Sequence, residues 1–145
     1  MSTADAAAGQ RNAADRLGIS AGMVVQQVGH DDDADDELVA EIVARAGTEL
    51  VPEDSDDVVD VVLLWFRDDD GDLVDALMDA RIRLAGNGAI WLLTPKSGRD
   101  GHVEPSDVLD AAPTAGLTQT STVSASRDWS AAKLVVPKGQ RAPRR

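Results

Sequence analysis

One stretch of the sequence decides the fold class: Val58-Val59-Asp60-Val61-Val62-Leu63-Leu64-Trp65-Phe66. Apart from Asp60, its residues are all apolar, and they do not alternate with polar ones. A second continuous apolar run, Gly88–Leu93, follows further along the chain. A strand that is apolar on both sides is covered on both faces, which is typical of a parallel sheet between two layers of helices. The two runs therefore predict buried central strands.

The segments around these runs show strand and helix patterns in alternation. The predicted strands are Met23–Val28, Glu49–Val51, Val58–Phe66, Ala89–Leu93, Leu117–Ser126 and Trp129–Val136. The predicted helices are Asp36–Ala46, Asp72–Leu84 and Ser106–Ala112, with one or two helical turns at Asn12–Leu17. Alternation of this kind predicts an α/β fold, a Rossmann-like three-layer sandwich. Its sheet is mostly parallel and ends in a C-terminal antiparallel hairpin.

Composition places this fold in one domain. The chain has 145 residues and 43% hydrophobic residues, enough for a single core. We predict a disordered N-terminus at residues 1–11, one Rossmann-like domain at residues 12–137 and a basic disordered tail at residues 138–145. The chain contains no cysteine, which excludes disulfides and thiolate metal sites. We find no signal-peptide pattern and no apolar stretch of membrane-spanning length, so we expect a cytoplasmic protein without a membrane partner.

Charge is distributed unevenly along the chain. The net charge is −12, and residues 1–95 hold 21 acidic against 6 basic side chains. Residues 96–145 hold 5 acidic and 8 basic side chains. An acidic body repels phosphates, so we do not expect nucleic acid as a partner.

The order of elements resembles a shortened Rossmann-like core of the class I methyltransferases. More closely, the sequence resembles an uncharacterised actinobacterial family, domain of unknown function 3052, over roughly residues 17–138. The matching segments are Gly22–Gln26, Leu64–Leu73, Ile90–Lys96, Gly98–Arg99, Gly101–Asp107 and Ala112–Leu117. His30 is a departure, since the family tends to carry an aromatic residue after the glycine. That family has no known activity, and a methyltransferase-like fold does not imply a methyltransferase function.

A ligand of an open α/β sheet binds beyond the carboxyl ends of the parallel strands. Four loops are predicted to converge there: Gly29–Asp33, Pro52–Asp54, Phe66–Gly71 and Thr94–Arg99. The polar loop around His102 borders the same edge. The predicted ligand-binding residues are Gly29, His30, Glu53, Trp65, Arg67, Asp68, Thr94, Lys96, Arg99 and His102.

The loop after the first strand argues against a bound cofactor. Dinucleotide and S-adenosylmethionine sites use a glycine-rich turn that lets the backbone approach the ligand. This loop, Val28–Asp33, has one glycine followed by His30 and three aspartates. The acidic run opposes phosphate-containing cofactors. S-adenosylmethionine carries no phosphate and stays open as an alternative.

Other chemistry has little support in the sequence. The run Asp68–Asp72 has its glycine at the fourth position, whereas a calcium-binding EF-hand loop needs it at the sixth, so we expect a turn and a helix cap there. His30 and His102 have no spaced partners, and no serine lies in a glycine elbow. We therefore expect no metal site and no catalytic residues.

Two functional hypotheses follow. The first is a non-catalytic interaction or regulatory protein, with an unknown protein partner, on a degenerate methyltransferase-like scaffold. The alternative is a small-molecule binding protein or methyltransferase that uses S-adenosylmethionine. The edge hairpin also leaves a homodimer open, although its Thr/Ser face argues against an apolar interface.

Overall fold

The computed structural model describes residues 13–137. The predicted disordered N-terminus and basic tail lie outside these residues. The helices are α1 (Ala13–Arg16), α2 (Asp36–Ala46), α3 (Leu73–Ala80) and α4 (Pro105–Thr114). The strands are β1 (Val25–Val28), β2 (Val59–Trp65), β3 (Leu84–Pro95), β4 (Thr118–Ser124) and β5 (Trp129–Val135).

The five strands form one sheet in the order β1-β2-β3-β5-β4. β1, β2 and β3 are parallel to one another. β5 runs antiparallel to both β3 and β4, so the C-terminal hairpin completes one edge. This arrangement confirms the predicted α/β sandwich with a mostly parallel sheet and an antiparallel hairpin.

Two apolar cores lie on opposite faces of the sheet, because side chains along a strand alternate between faces. One core joins α1 and α2 to Val61, Leu63 and Trp65 of β2. The other joins α3 and α4 to Val62, Leu64 and the adjoining Phe66. The continuous apolar run of the central strand is thus explained, since both of its faces are buried.

The ends of the helices follow local rules. Asp35 caps α2 by accepting a hydrogen bond from the backbone N–H of Leu38 at 3.0 Å. Gly47 ends the helix in the left-handed region, with φ of 84°. Asp72 caps α3 by accepting from Val74 and Asp75, which confirms that the aspartate run before it forms a turn and a cap. No helix between residues 13 and 137 has the length and apolar character that a membrane crossing requires.

Two predicted boundaries around β3 were wrong. The third predicted helix extended to Leu84, but α3 ends at Ala80 and Leu84 pairs with Val59 of β2. The Val59 N–H donates to the carbonyl of Arg83 at 2.9 Å. The backbone at Arg83 and Leu84 therefore pairs with β2 and does not continue the helix, although the spacing of its apolar residues is helical. Gly88 also lies within β3, ahead of the predicted start at Ala89. A Cβ at this position would lie 2.6 Å from the carbonyl oxygen of Asp60.

Two further predictions at strand ends need correction. The predicted strand Glu49–Val51 is reduced to a single bridge between Val51 and Gln26. Val58, predicted to open the buried strand, is 68% exposed, whereas Val59 is 1% exposed. The reason is that β2 begins at Val59, so Val58 still belongs to the exposed segment that leads into the strand.

We predict that Val59→Ala lowers the free energy of unfolding by about 2 kcal/mol, because it removes buried methyl groups and leaves a cavity. The same substitution at Val58 is expected to change it by less than about 0.5 kcal/mol. Urea denaturation of the two variants measures the difference. Equal effects at the two positions would contradict the observed start of β2.

Candidate functional site

The topology of the sheet creates a crevice between the carboxyl ends of β1 and β2. After α2 the chain pairs with one side of β1, through the bridge between Val51 and Gln26. It then crosses to the other side of β1, where β2 pairs with that strand. A reversal of this kind is the switch point at which open α/β sheets bind their ligands. The loops that begin at Gly29 and Phe66 meet there.

Gly29 brings the two strand ends into contact. Its φ of 82° lies in the left-handed region, and a Cβ at this position would collide with the carbonyl oxygen of Trp65. The Gly29 N–H donates to Glu53 Oε1 at 3.0 Å. Gln26 holds the backbone beside Glu53 by donating from Nε2 to the carbonyl of Pro52 at 3.1 Å. The carboxylate predicted to meet a ligand therefore binds the protein backbone.

Arg67 bridges this crevice. Its Nη1 donates to the Gly29 carbonyl at 2.8 Å and to the Trp65 carbonyl at 3.3 Å. Its Nε and Nη2 form a two-pronged ion pair with Asp33, and Nη1 also lies 3.3 Å from Asp70 Oδ2. The side chain is only 10% exposed. A buried, fully paired guanidinium thus lies between the strand ends where a ligand would enter.

The ion pair shifts the pKa of each partner in the direction that favours its charged form. The hydrogen bond from Arg67, opposed by partial burial, lowers the pKa of Asp33 below its ordinary value of 3.8. The hydrogen bond to Asp33 raises the pKa of Arg67, again against the effect of burial. Both groups therefore stay charged throughout the neutral range.

Aromatic rings form the wall behind Arg67. Trp129 of β5 lies edge to face with Trp65, with ring centroids 4.8 Å apart, and the Arg67 guanidinium carbon lies 5.3 Å from the Trp129 centroid. Trp129 also donates from Nε1 to the carbonyl of Asp33 at 3.1 Å. His30 lies edge-on to Trp65 and contacts Asp36 at 2.9 Å. These contacts leave both tryptophan rings buried and engaged.

A shallow depression of about 400 Å³ lies at the mouth of the crevice, over Arg67. Six carboxylates line it, and among residues 13–137 only those of Asp33 and Asp70 pair with the Arg67 guanidinium. The lining residues are Asp31, Asp32, Asp33, Arg67, Asp69, Asp70, Asp100 and Gly101. No group of three or more His, Asp or Glu side chains within residues 13–137 is placed to hold a metal ion. The depression is strongly acidic and repels anionic ligands.

The other five predicted residues lie outside the crevice, in three places. Lys96 donates to Ser124 Oγ at 2.6 Å, and Arg99 pairs with Asp128 at 3.2 Å, so both hold the edge hairpin. Thr94 and His102 instead line a separate cavity beneath α4. Asp68 is exposed, and its backbone N–H donates to the Gly101 carbonyl at 3.0 Å. The crevice therefore collects Gly29, His30, Glu53, Trp65 and Arg67.

Sequence reasoning missed three residues of the crevice: Asp33, Asp70 and Trp129. Asp33 lay in an acidic run interpreted as the start of a helix. Trp129 lies on the hairpin, 62 positions beyond Arg67 in the numbering. The available signal was the position of Arg67 directly after a buried strand, since a cation at that depth needs a carboxylate within reach.

Residues 14–138 match the family described as "Protein of unknown function (DUF3052)". The chain belongs to this family. Uncharacterized proteins from Mycobacterium bovis and Mycobacterium tuberculosis are each 52% identical to it over 139 residues, covering 96% of this chain and 87% of theirs. The predicted family membership is thereby confirmed.

Solved structures with a similar fold include methyltransferases. An S-adenosylmethionine-dependent methyltransferase from Aquifex aeolicus aligns with a TM-score of 0.54 and 15% identity, covering 85% of this chain and 87% of its own. A TehB-like S-adenosylmethionine-dependent methyltransferase from Corynebacterium glutamicum aligns with the same TM-score and identity, covering 91% and 92%. At this identity the likeness concerns the fold alone, and it confirms the methyltransferase-like core.

We predict that Gly29→Ala destabilises the DUF3052 protein more than Gly47→Ala does. Both glycines have a φ close to 83°, at 82° and 84°, so both substitutions incur the left-handed penalty of about 1–2 kcal/mol. Only Gly29 faces a backbone oxygen, whereas Gly47 has nothing within 4 Å. Overpacking adds about 1–3 kcal/mol at Gly29. Thermal or urea unfolding measures the difference, and equal losses would place the two strand ends further apart than observed.

We also predict that Asp33→Asn lowers the stability of the folded protein by an amount that depends on pH. The folded-state pKa of Asp33 is depressed, so the unfolded chain binds the proton more readily and stability falls as pH falls through the folded value. The wild type should therefore exceed Asp33→Asn in stability above about pH 4, near the ordinary carboxyl pKa, and lose this advantage in more acidic solution. Urea unfolding at stepped pH measures the gap, with Asp69→Asn as a control on the same rim. A gap that does not change with pH would contradict the ion pair.

Proposed function

We propose that this DUF3052 protein is a non-catalytic interaction or regulatory protein, built on a methyltransferase-like scaffold whose cofactor crevice is closed. The observation that carries the proposal is Arg67, which bridges the carbonyl groups of Gly29 and Trp65. A cofactor in this crevice would have to displace the guanidinium from Asp33 as well. Breaking such a buried pair costs several kcal/mol where it is fully buried, and somewhat less here because Asp33 is half exposed.

A partner surface lies beside β1, on the face of the sheet that α3 and α4 only partly cover. A groove of about 420 Å³ runs there between Val28, Leu64 and the apolar side of α3 at Ala76 and Ala80. Ile82 borders the groove and is 66% exposed, so it extends the apolar floor to the protein surface. Helices normally cover both faces of a parallel sheet. A part of such a face that no helix covers, at the edge of the sheet, can therefore bind a helix of another protein.

Charge at the rim defines the chemistry of that helix. Asp54 and Asp79 line the groove, while its arginine, Arg83, is engaged by the Ser55 carbonyl and by Asp56. Within residues 13–137, Asp54 and Asp79 form no ion pair, so the rim presents negative charge around an apolar floor. We propose that the occupant is an amphipathic helix of a partner protein, with an apolar stripe flanked by Lys and Arg. We place this interaction in the cytoplasm, without nucleic acid.

The experiment isolates the partner with the full chain as bait, identifies it, and reconstitutes the complex from purified components. We predict that Ile82→Glu weakens the complex by about tenfold or more, because it places a charge on the apolar floor. Leu109→Glu is the matched control, since Leu109 is 56% exposed and lies on α4, away from the groove. Equal affinity of the Ile82→Glu variant and the wild type would overturn the groove as the partner site.

A thermal-shift measurement on the same protein tests the alternative function, which is binding of S-adenosylmethionine. A ligand at one hundred times its dissociation constant stabilises the native state by about 2.7 kcal/mol, which moves the melting temperature by several degrees. We expect no shift with millimolar S-adenosylmethionine or S-adenosylhomocysteine. A saturable upward shift with either compound would favour a cofactor-binding protein and would contradict a closed crevice.

A further inference from the structure

One edge of the sheet is open. β4 is the outermost strand, and within residues 13–137 no strand pairs with its far side. The edge at β1 is covered, because Gln27 donates to the Val51 carbonyl at 3.0 Å and Val51 donates to the Val25 carbonyl at 2.8 Å. The groove that we propose for a partner helix lies beside β1, so β4 is a separate surface. An open edge presents N–H and C=O groups to which another strand can bind.

The hydrogen bonds of the hairpin show which backbone groups of β4 point outwards. The Ala125 N–H donates to the Trp129 carbonyl at 3.0 Å, so the backbone of Ala125 faces β5. Backbone groups of an antiparallel strand alternate between its two sides, so those of Ser124 and Thr122 face away from β5. Arg16 agrees with this direction, because its Nε donates to the outward carbonyl of Ser124 at 2.9 Å.

Thr122 is the outward residue whose backbone stays available. The register of β4 against β5 shifts between Gln119 and Ser121, so the regular part of the strand begins at Ser121. At the other end of this part, Arg16 occupies the carbonyl of Ser124. Neither the N–H nor the C=O of Thr122 faces β5, and among residues 13–137 no other group bonds to either. Thr122 is also exposed, so a second strand can reach both groups.

The sequence of this edge lacks charge. Native proteins commonly protect an edge strand with lysine, other charged side chains or proline. β4, with the sequence Thr-Gln-Thr-Ser-Thr-Val-Ser, contains none of these. It lies within residues 111–126, the longest run of the chain without a charged side chain. A chain with a net charge of −12 repels its own copies, and this repulsion is smallest where both surfaces are uncharged. The β4 edge is therefore the surface on which two copies can approach.

We propose that two copies of this chain form a dimer by antiparallel pairing of their β4 strands, about a two-fold axis at Thr122. Two directly opposed residues of an antiparallel pair exchange both of their hydrogen bonds. Thr122 of a second copy has the same two available groups, so the pair satisfies both chains at once. The contact is isologous, which is the symmetry of closed dimers.

The same register accommodates the two interruptions of the strand. With Thr122 opposite itself, Ser124 lies opposite Thr120 of the second copy, where the register shift already interrupts the regular strand. The carbonyl that Arg16 occupies thus falls opposite an irregular position, and no regular pair is lost. Ser121 lies opposite Val123 of the second copy, so the central pairs carry no charge. Because the paired segment is short, the dimer is weak and dissociates on dilution.

Sedimentation equilibrium of the full chain over a series of concentrations tests the dimer. We expect twice the mass of the 15.3 kDa chain at high micromolar concentration and the single mass on dilution. Amide hydrogen exchange locates the contact. The Thr122 N–H should be protected in concentrated samples only, whereas the Val123 N–H, which faces β5, should be protected in both. A single mass at every concentration, or exchange at Thr122 that does not depend on concentration, would overturn the proposal.

Charge substitutions at the axis test the register. Thr122→Lys and Thr122→Glu each place like charges opposite one another, so each variant alone should dimerise about fivefold more weakly than the wild type. An equimolar mixture of the two variants should recover dimerisation, because opposite charges then meet. Thr48→Lys is the matched control, since Thr48 is exposed and follows α2, away from β4. If the mixture associates no better than either variant alone, Thr122 does not lie at the axis and the proposed dimer is wrong. Either result leaves the helix-binding groove to its own experiment.

Discussion

The arrangement of the carboxyl edge depends on the contacts of one buried guanidinium. Arg67 follows β2 directly and reaches back over the end of β1 to the Gly29 carbonyl. It also draws Asp33, and with it the loop that precedes α2, onto the sheet. Trp129 of β5 completes the enclosure from the hairpin side. A single side chain thus joins the first loop, the central strand and the C-terminal hairpin.

Arg67 lies at the position where a ligand binds in other open α/β sheets. In an open α/β sheet, the switch point between neighbouring strands is where the backbone and loop ends meet a ligand. Here the same backbone carbonyl groups are satisfied by Arg67, and the Gly29 N–H is satisfied by Glu53. The polar groups of the crevice satisfy one another, so the likeness to methyltransferases concerns the scaffold. The groove that we propose as the partner site lies elsewhere, beside β1.

Much of the fold could be predicted because it rests on local patterns. The continuous apolar run of β2 requires cover on both faces, and the structure provides two cores. Asp35 and Gly47 mark the ends of α2 through their own backbone chemistry. The boundary between α3 and β3 could not be predicted in this way. The helical spacing from Leu73 to Leu84 is real, but pairing of Leu84 with Val59 overrides it, and that pairing joins positions 25 apart in the numbering.

The candidate site likewise has features that local sequence patterns predict and features that depend on contacts between distant residues. The sequence by itself determined the α/β class, the acidic character of the carboxyl edge and the scarcity of glycine in its first loop, because these follow from composition, periodicity and short motifs. Its resemblance to known sequences indicated the family. Only the tertiary structure decided that Arg67 fills the crevice, that Thr94 and His102 belong to another cavity, and that Lys96 and Arg99 hold the hairpin. The reason is physical: a long charged side chain takes the partners that the packed loops bring within reach, and those loops are distant in the sequence.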